Sequence, residues 1–129
     1  MNSHSEKNCL FCAITADRIV LANELAYAIH DGFPVTALHA LVIPRRHAAT
    51  YFDLTTDEIL ACDDLLRKVS EKIKSSDSTV EGFNIGLDAG EVAGQTIFHC
   101  HFHLIPRRKG DVENPRGGVR HLIPGKGYY

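Results

Sequence analysis

His99-Cys100-His101-Phe102-His103-Leu104-Ile105-Pro106 places three histidines at every second position of an otherwise apolar run. In an extended strand successive side chains point to opposite faces, so His99, His101 and His103 share one face and Cys100, Phe102 and Leu104 the other. Packing the second face needs none of the histidines. A neutral imidazole offers a nitrogen lone pair and titrates near neutrality, so such a row can bind metal, move protons or attack an electrophile. At a rise near 3.3 Å per residue, neighbouring members of the row stand about 6.6 Å apart and the outer pair about 13 Å. Zinc to nitrogen bonds are only about 2.0 Å long, so the three histidines divide their roles and do not share one ion.

The remainder of the sequence indicates how they divide. Cys9-Leu10-Phe11-Cys12 puts two thiols within reach of one zinc but supplies half of a tetrahedral site. A redox pair and plain packing are the alternatives, the redox reading weakened by the position of the pair near the terminus. No second C-x-x-C exists, so histidines are the natural remaining ligands. An end histidine, His99, and a loop histidine, His47, would complete a closed site and leave His101 and His103 for chemistry. A closed four-ligand zinc has no open position for water, so the reaction has to come from imidazole, which attacks phosphorus through a phosphoryl-histidine. Gln95, Thr96 and His103 are near enough in register to stabilise charge on phosphate oxygens.

Bulk properties bound the setting. A chain of 129 residues, 44% hydrophobic and 23% charged, is expected to form one globular domain. A net charge of -2 gives no electrostatic case for duplex nucleic acid, so a nucleotide ligand would be small and held in a pocket. The polar start and the absence of about 18 consecutive apolar residues lead to the expectation of a soluble cytoplasmic protein with no membrane partner. Residues 1 to 8 read as a flexible N-terminus, 9 to 109 as the domain and 110 to 129 as a tail packing near the site or a partner subunit. That tail is locally basic, which suits either phosphate or a solvated surface.

In order, Ala13 to Arg18 fits one or two helical turns and Ile19 to Ala22 an extended segment. Leu25 to His30 and Leu38 to Ile43 read as strands, the second stopped by Pro44, with His30, His39 and His47 at or beside strand ends. Thr55 with Glu58 forms a capping box before a stripe of Ile59, Cys62, Leu66, Val69 and Ile73, which predicts a helix to about Lys74 and assigns Cys62 to the core. Gly82 to Leu87 is a further strand, and the loop Asp88 to Gly94 delivers the chain to Gln95 and the histidines.

These residues resemble the histidine triad family of nucleotide hydrolases and transferases. The resemblance rests on His99-x-His101-x-His103-Leu104-Ile105 with Gly94-Gln95-Thr96 before it, on Tyr27-Ala28-Ile29-His30-Asp31, on His39-Ala40-Leu41-Val42-Ile43-Pro44 and on Cys9-x-x-Cys12. The tail from Asp111 to Lys126 is similar to that of bacterial members described as diadenosine tetraphosphate hydrolase-like. The resemblance implies an α+β fold with an antiparallel sheet of about five strands, one long helix and a short N-terminal helix, paired in a homodimer. It implies that His101 attacks an α-phosphate, that His103 and Gln95 contact phosphate or leaving group, and that Thr96 holds phosphate oxygens. Asp31 would bind ribose hydroxyls and His39 would orient the site. Zinc on Cys9, Cys12, His47 and His99 would be structural, with no organic cofactor. The expected activity is cleavage of a dinucleoside polyphosphate or related adenine nucleotide to release AMP or another monophosphate. An adenylyl phosphoramidate substrate and a non-catalytic nucleotide-binding module are the alternatives. Two positions depart from the family pattern: Asp88, a possible substrate contact, stands where relatives often carry asparagine or glutamine, and Ala37-Leu38 stands where they often carry Pro-Gly or Pro-Thr.

Overall fold

The computed structural model describes residues 6–129, so most of the expected flexible N-terminus lies outside the described residues. Five strands, β1 (Ile19–Ala22), β2 (Ala26–His30), β3 (Ala40–Pro44), β4 (Val80–Gly86) and β5 (Phe102–Arg108), form one sheet in the order β1-β2-β3-β5-β4. Every neighbouring pair is antiparallel. A single long helix, α1 (Thr56–Ser76), joins β3 to β4. The short helix expected between Ala13 and Arg18 is a 3-10 turn at Ala16–Arg18.

The helix starts where its capping box predicts. Thr55 Oγ1 accepts from the Glu58 backbone N–H at 3.1 Å, and Glu58 Oε1 accepts from the Thr55 N–H at 2.8 Å. Its inner stripe holds Cys62, Leu65, Leu66, Val69 and Ile73, with Ile59 only half-buried. Leu65 takes the place the sequence reading gave to Ile59, because at 3.6 residues per turn a wide apolar face admits adjacent positions. This stripe packs on Ala26, Ala28, Ala40, Val42, Phe102 and Leu104. Each such fully buried large aliphatic contributes about 1.5–3 kcal/mol.

The other sheet face is also covered. Tyr27, Ile29, Leu41 and Ile43 pack against Cys9 and Phe11 of the N-terminal segment. That second cover explains why β3 is buried at all five positions and not at alternate ones.

One expectation needs correction. The histidine run is not a strand from its start: pairing begins at Phe102, so only His103 lies on β5, and His99 and His101 lie on the extended chain leading in. The ladder between β3 and β5 ends at Val42 opposite Phe102. Beyond it stands Pro44, which has no N–H to offer a partner strand. Its carbonyl is taken instead by His99 Nε2–H at 2.7 Å, and the Cys100 N–H reaches the Ala48 carbonyl at 2.8 Å. The alternation of side chains survives all the same: Cys100, Phe102 and Leu104 face the helix.

Candidate functional site

Two clusters meet on the face opposite α1. In the first, Cys9 Sγ and Cys12 Sγ lie 3.3 Å and 3.5 Å from His99 Nδ1, and Cys12 Sγ lies 3.3 Å from His47 Nδ1. All four ligand atoms fall within 4.8 Å of one another. Zinc bonds of about 2.0–2.3 Å in tetrahedral directions would separate ligand atoms by a comparable span, so this donor set fits zinc. His99 is fully buried, and its Nε2–H is committed to the Pro44 carbonyl. A neutral imidazole carries one ring proton, so His99 Nδ1 presents its lone pair to the thiols.

Neighbouring residues hold the other ligands. Tyr27, on β2, donates its hydroxyl to the Phe11 carbonyl between the two cysteines, and burial raises its pKa well above the ordinary value. Arg46, next to His47, makes two 2.9 Å contacts to the buried Glu58 carboxylate. That hydrogen-bonded guanidinium pulls the Glu58 pKa down to about 2 and ties the loop carrying His47 to the first turn of α1.

The second cluster contains His101, His103, His39 and Asp31. His101 Nδ1–H donates to the His99 carbonyl at 2.8 Å, which leaves the lone pair on Nε2. Phe11 packs against its ring at 4.9 Å between centroids. His39, buried at the start of β3, accepts the Val35 N–H on Nδ1 at 3.2 Å. Its proton therefore sits on Nε2, which lies 3.0 Å from His103 Nδ1 and 3.5 Å from Asp31 Oδ2. His103 Nδ1 is then an acceptor, and its own proton sits on Nε2. Burial lowers the pKa of His39, His101 and His103 below the ordinary histidine value, so all three are neutral near pH 7.

The remaining predicted residues occupy less direct positions. Asp31 is held in a turn by the Phe33 N–H on Oδ1 at 2.8 Å, with Oδ2 facing His39. Asp88 is half-buried and acts electrostatically on both His101 and His103. Gln95 is 3% exposed, and its amide is spent on the backbone: Nε2 donates to the Ala49 and Ile97 carbonyls, and Oε1 accepts from the Gly90 N–H. It staples the loop before the histidines to the chain after β3. Thr96 beside it is exposed. The amide of Gly94, in a left-handed turn, is bonded to the Glu91 carbonyl.

A cleft of about 710 Å³ opens beside His39, His103 and Asp88. Its far wall is the C-terminal segment, including Asn114, Val119, His121, Leu122 and Tyr128. The sequence reading placed this tail near the site without naming these residues. The two arginines at the end of β5 are not free for phosphate. Arg107 is bound to Asp111 by two contacts at 2.8 Å and to Asn84 at 2.7 Å, and Arg108 pairs with Asp77 at 2.9 Å.

With that geometry in place the comparisons are direct. The HIT domain model matches residues 14–110. The chain belongs to the HIT family. An uncharacterised HIT-like protein of Saccharolobus solfataricus is 33% identical over 125 residues, 94% of this chain and 89% of that protein. An adenosine 5'-monophosphoramidase of Candida albicans is 29% identical over 84% of this chain and 74% of that protein. The crystal structure of a zinc-bound histidine triad family protein from Mycobacterium smegmatis superposes with a TM-score of 0.75, with 31% identity over 83% of this chain and 80% of that one. This HIT chain forms a five-stranded antiparallel sheet with one long helix, the fold it shares with that zinc-bound structure. Among its described residues no helix is long and apolar enough to cross a membrane.

Proposed function

We propose that this HIT protein is a nucleotide hydrolase that cleaves a substituted nucleotide at its α-phosphate, through a nucleotidyl-histidine on His101, and releases a nucleoside monophosphate. One observation carries the reading. His101 Nδ1–H is committed to the His99 carbonyl, so the Nε2 lone pair of a neutral ring is available for attack.

In the first step Nε2 forms a bond to the α-phosphorus and the bond from phosphorus to the leaving atom breaks. The leaving group departs with that electron pair, and His103 Nε2–H meets the charge developing on it. His39 supports this donor by occupying His103 Nδ1, which fixes the tautomer. In the second step water adds to phosphorus and the P–N bond returns its pair to His101. The leaving atom takes the His103 Nε2 proton in the first step, and His103 recovers a proton from the water in the second as the hydroxyl joins phosphorus, so the atoms balance.

Zinc on Cys9, Cys12, His47 and His99 would be a closed structural ion that fixes the N-terminal segment carrying Phe11 against the histidines. The zinc-bound relative from Mycobacterium smegmatis and the donor set of this chain support that assignment. The homodimer implied by the resemblance belongs to the same proposal, with β4, one of the two outer strands of the sheet, as an edge available to a second copy.

The deciding experiment is mass spectrometry of protein quenched during turnover of an adenylyl substrate. An AMP adduct on His101 in the native chain, absent from His101→Ala, is the expected result. Undiminished turnover by His101→Ala would overturn the proposal. AMP binding without turnover of any substrate would instead mark a nucleotide-binding module.

A further inference from the structure

A second cavity, of about 330 Å³, lies on the opposite side of the sheet from both histidine clusters, between the last two turns of α1 and the corner where β1 begins and β2 ends. Val69 and Ile73 of α1, with Val20 and Leu38, form its apolar walls, and the exposed His30, Lys72, Ser75 and Ser76 form its rim. A concavity of this size, apolar inside with a few convergent polar groups, has the make-up of a small-molecule site. Leu38 adds a second observation. The turn into β3 is closed by the His39 N–H on the Thr36 carbonyl at 3.1 Å, which puts Leu38 at the third position with φ of +71°. Glycine adopts that conformation freely and leucine only under strain, so the turn keeps a strained residue whose half-buried side chain lines the cavity.

The rim carries a definite sign. Among the described residues Lys72 is the one lysine of α1 outside an ion pair, since Lys68 pairs with Asp64 at 3.1 Å and Lys74 with Glu71 at 3.0 Å. Ser75 follows three residues later, on the same side of the helix, and its hydroxyl has no partner among the described residues. No described carboxylate lines the cavity, and Arg18 Nη2, 3.4 Å from the His30 carbonyl, brings a second cation to its mouth. The last carbonyls of a helix favour cations, but that of Ile73 is already taken by the Asp77 N–H at 2.9 Å and the Ser76 hydroxyl at 3.0 Å. An ammonium and a hydroxyl donor beside an apolar hollow complement a carboxylate on an alkyl chain.

We propose that this cavity is a binding site for a small amphipathic carboxylate of the medium-chain fatty acid class, held by its alkyl chain between α1 and Leu38 and by its carboxylate on Lys72 and Ser75. The site shares no residue with the reaction proposed at His101 and stands or falls apart from it. Its link to that chemistry is the chain itself, because Leu38 directly precedes His39.

The test titrates the native, isotopically labelled chain with octanoate, below its micelle concentration, and follows backbone amide shifts by NMR. Saturable shifts should gather at Val20, His30, Leu38 and residues 69–76. Each buried methylene is worth about fourfold in affinity, so butanoate, four methylenes shorter, should bind at least about thirtyfold more weakly. Octylammonium, with the same chain and the opposite charge, should bind at least about tenfold more weakly than octanoate. Lys72→Glu reverses the rim charge at an exposed position, and circular dichroism would verify its fold. In this variant octanoate affinity should fall at least about tenfold, and the preference over octylammonium should disappear. Lys74→Glu makes the same change in net charge on the same helix and should leave octanoate affinity within about twofold of native. Four results would each overturn the site: shifts that never saturate, butanoate bound as tightly as octanoate, octylammonium bound as tightly as octanoate, or equal losses in Lys72→Glu and Lys74→Glu.

Discussion

His99 and His101 are two residues apart and point to the same side of the chain, yet they are wired in opposite senses. His99 spends its Nε2–H on the Pro44 carbonyl and turns Nδ1 to the thiols. His101 spends its Nδ1–H on the His99 carbonyl and leaves Nε2 as the open lone pair. The first ring is fully buried as one of four clustered candidate ligands, and the second is half-buried. In the proposed reading, identical side chains serve as ligand and nucleophile according to the carbonyl each one meets. The lesson is that a backbone acceptor, and not the imidazole, assigns the job.

The sharpest way to break this comparison is to remove each ring in turn. His101→Asn should lower kcat/KM by at least about 10³-fold, the scale of losing a nucleophile that works as part of a set. Its thermal midpoint should stay within about 4 °C of native, the shift that about 1 kcal/mol produces in a domain of this size. His99→Asn should do the reverse in kind: it empties a buried position, unpairs the Pro44 carbonyl and removes a candidate metal ligand. A loss of at least about 3 kcal/mol is expected by urea unfolding. If His99→Asn were as stable as native, the clamp would not exist.

Metal removal tests the same side more gently. Purified protein should carry zinc at one ion per chain, and a chelator should lower the thermal midpoint. An ion present at about 1,000 times its dissociation constant stabilises by about 4 kcal/mol. Cys12→Ser should give the same midpoint with or without chelator. A reversible Cys9–Cys12 disulfide and no bound zinc would restore the redox reading.

What the sequence disclosed follows from the range of each signal. The helix was legible from Thr55, Glu58 and a local stripe, and β2 and β3 from short apolar runs ended by Asp31 and Pro44. The ligand set could be argued from distance alone, since an unpaired C-x-x-C and an end histidine need each other. Contacts made far along the chain were not legible. Nothing local announces that Phe11 covers the sheet beside His101, that Pro44 stops the ladder before Phe102, or that Gln95 turns its amide to the Ala49 carbonyl. The tail could be expected near the site, but the shape of the wall it builds was hidden, because Gly117 and Gly127 acquire meaning only when packed together.

A smaller effect separates the two regions by pH. Burial lowers the pKa of His39 and His103, against the carboxylates of Asp31 and, for His103, Asp88 as well. The unfolded chain therefore binds more protons than the native chain below the ordinary histidine value of about 6.5. Stability from this pair is complete above that pH and is lost as pH falls through it. Urea unfolding between pH 5 and 8 should show that rise, and His39→Gln should flatten part of it. A stability that rose on acidification, with the slope abolished in His39→Gln, would mean that the pair is held protonated.

The smallest test concerns backbone strain on the reactive side. Leu38, immediately before His39, has φ of +71° and is the one non-glycine residue with positive φ among the described residues. That conformation costs a leucine about 1–2 kcal/mol, which Leu38→Gly would relieve. Two losses oppose the relief: the half-buried side chain packs against the core beneath α1, and glycine gives the unfolded chain about 0.5–1 kcal/mol of extra freedom. The terms nearly cancel, so unfolding free energy should change by less than about 1 kcal/mol. Activity then isolates the geometric role. If kcat/KM stays within threefold, the Val35 N–H and Asp31 suffice to aim His39 at His103, and the turn is only a connector. If it falls tenfold at unchanged stability, the strained residue itself sets that aim, and the reactive histidines are held under strain where the ligand histidines are clamped by burial and hydrogen bonds.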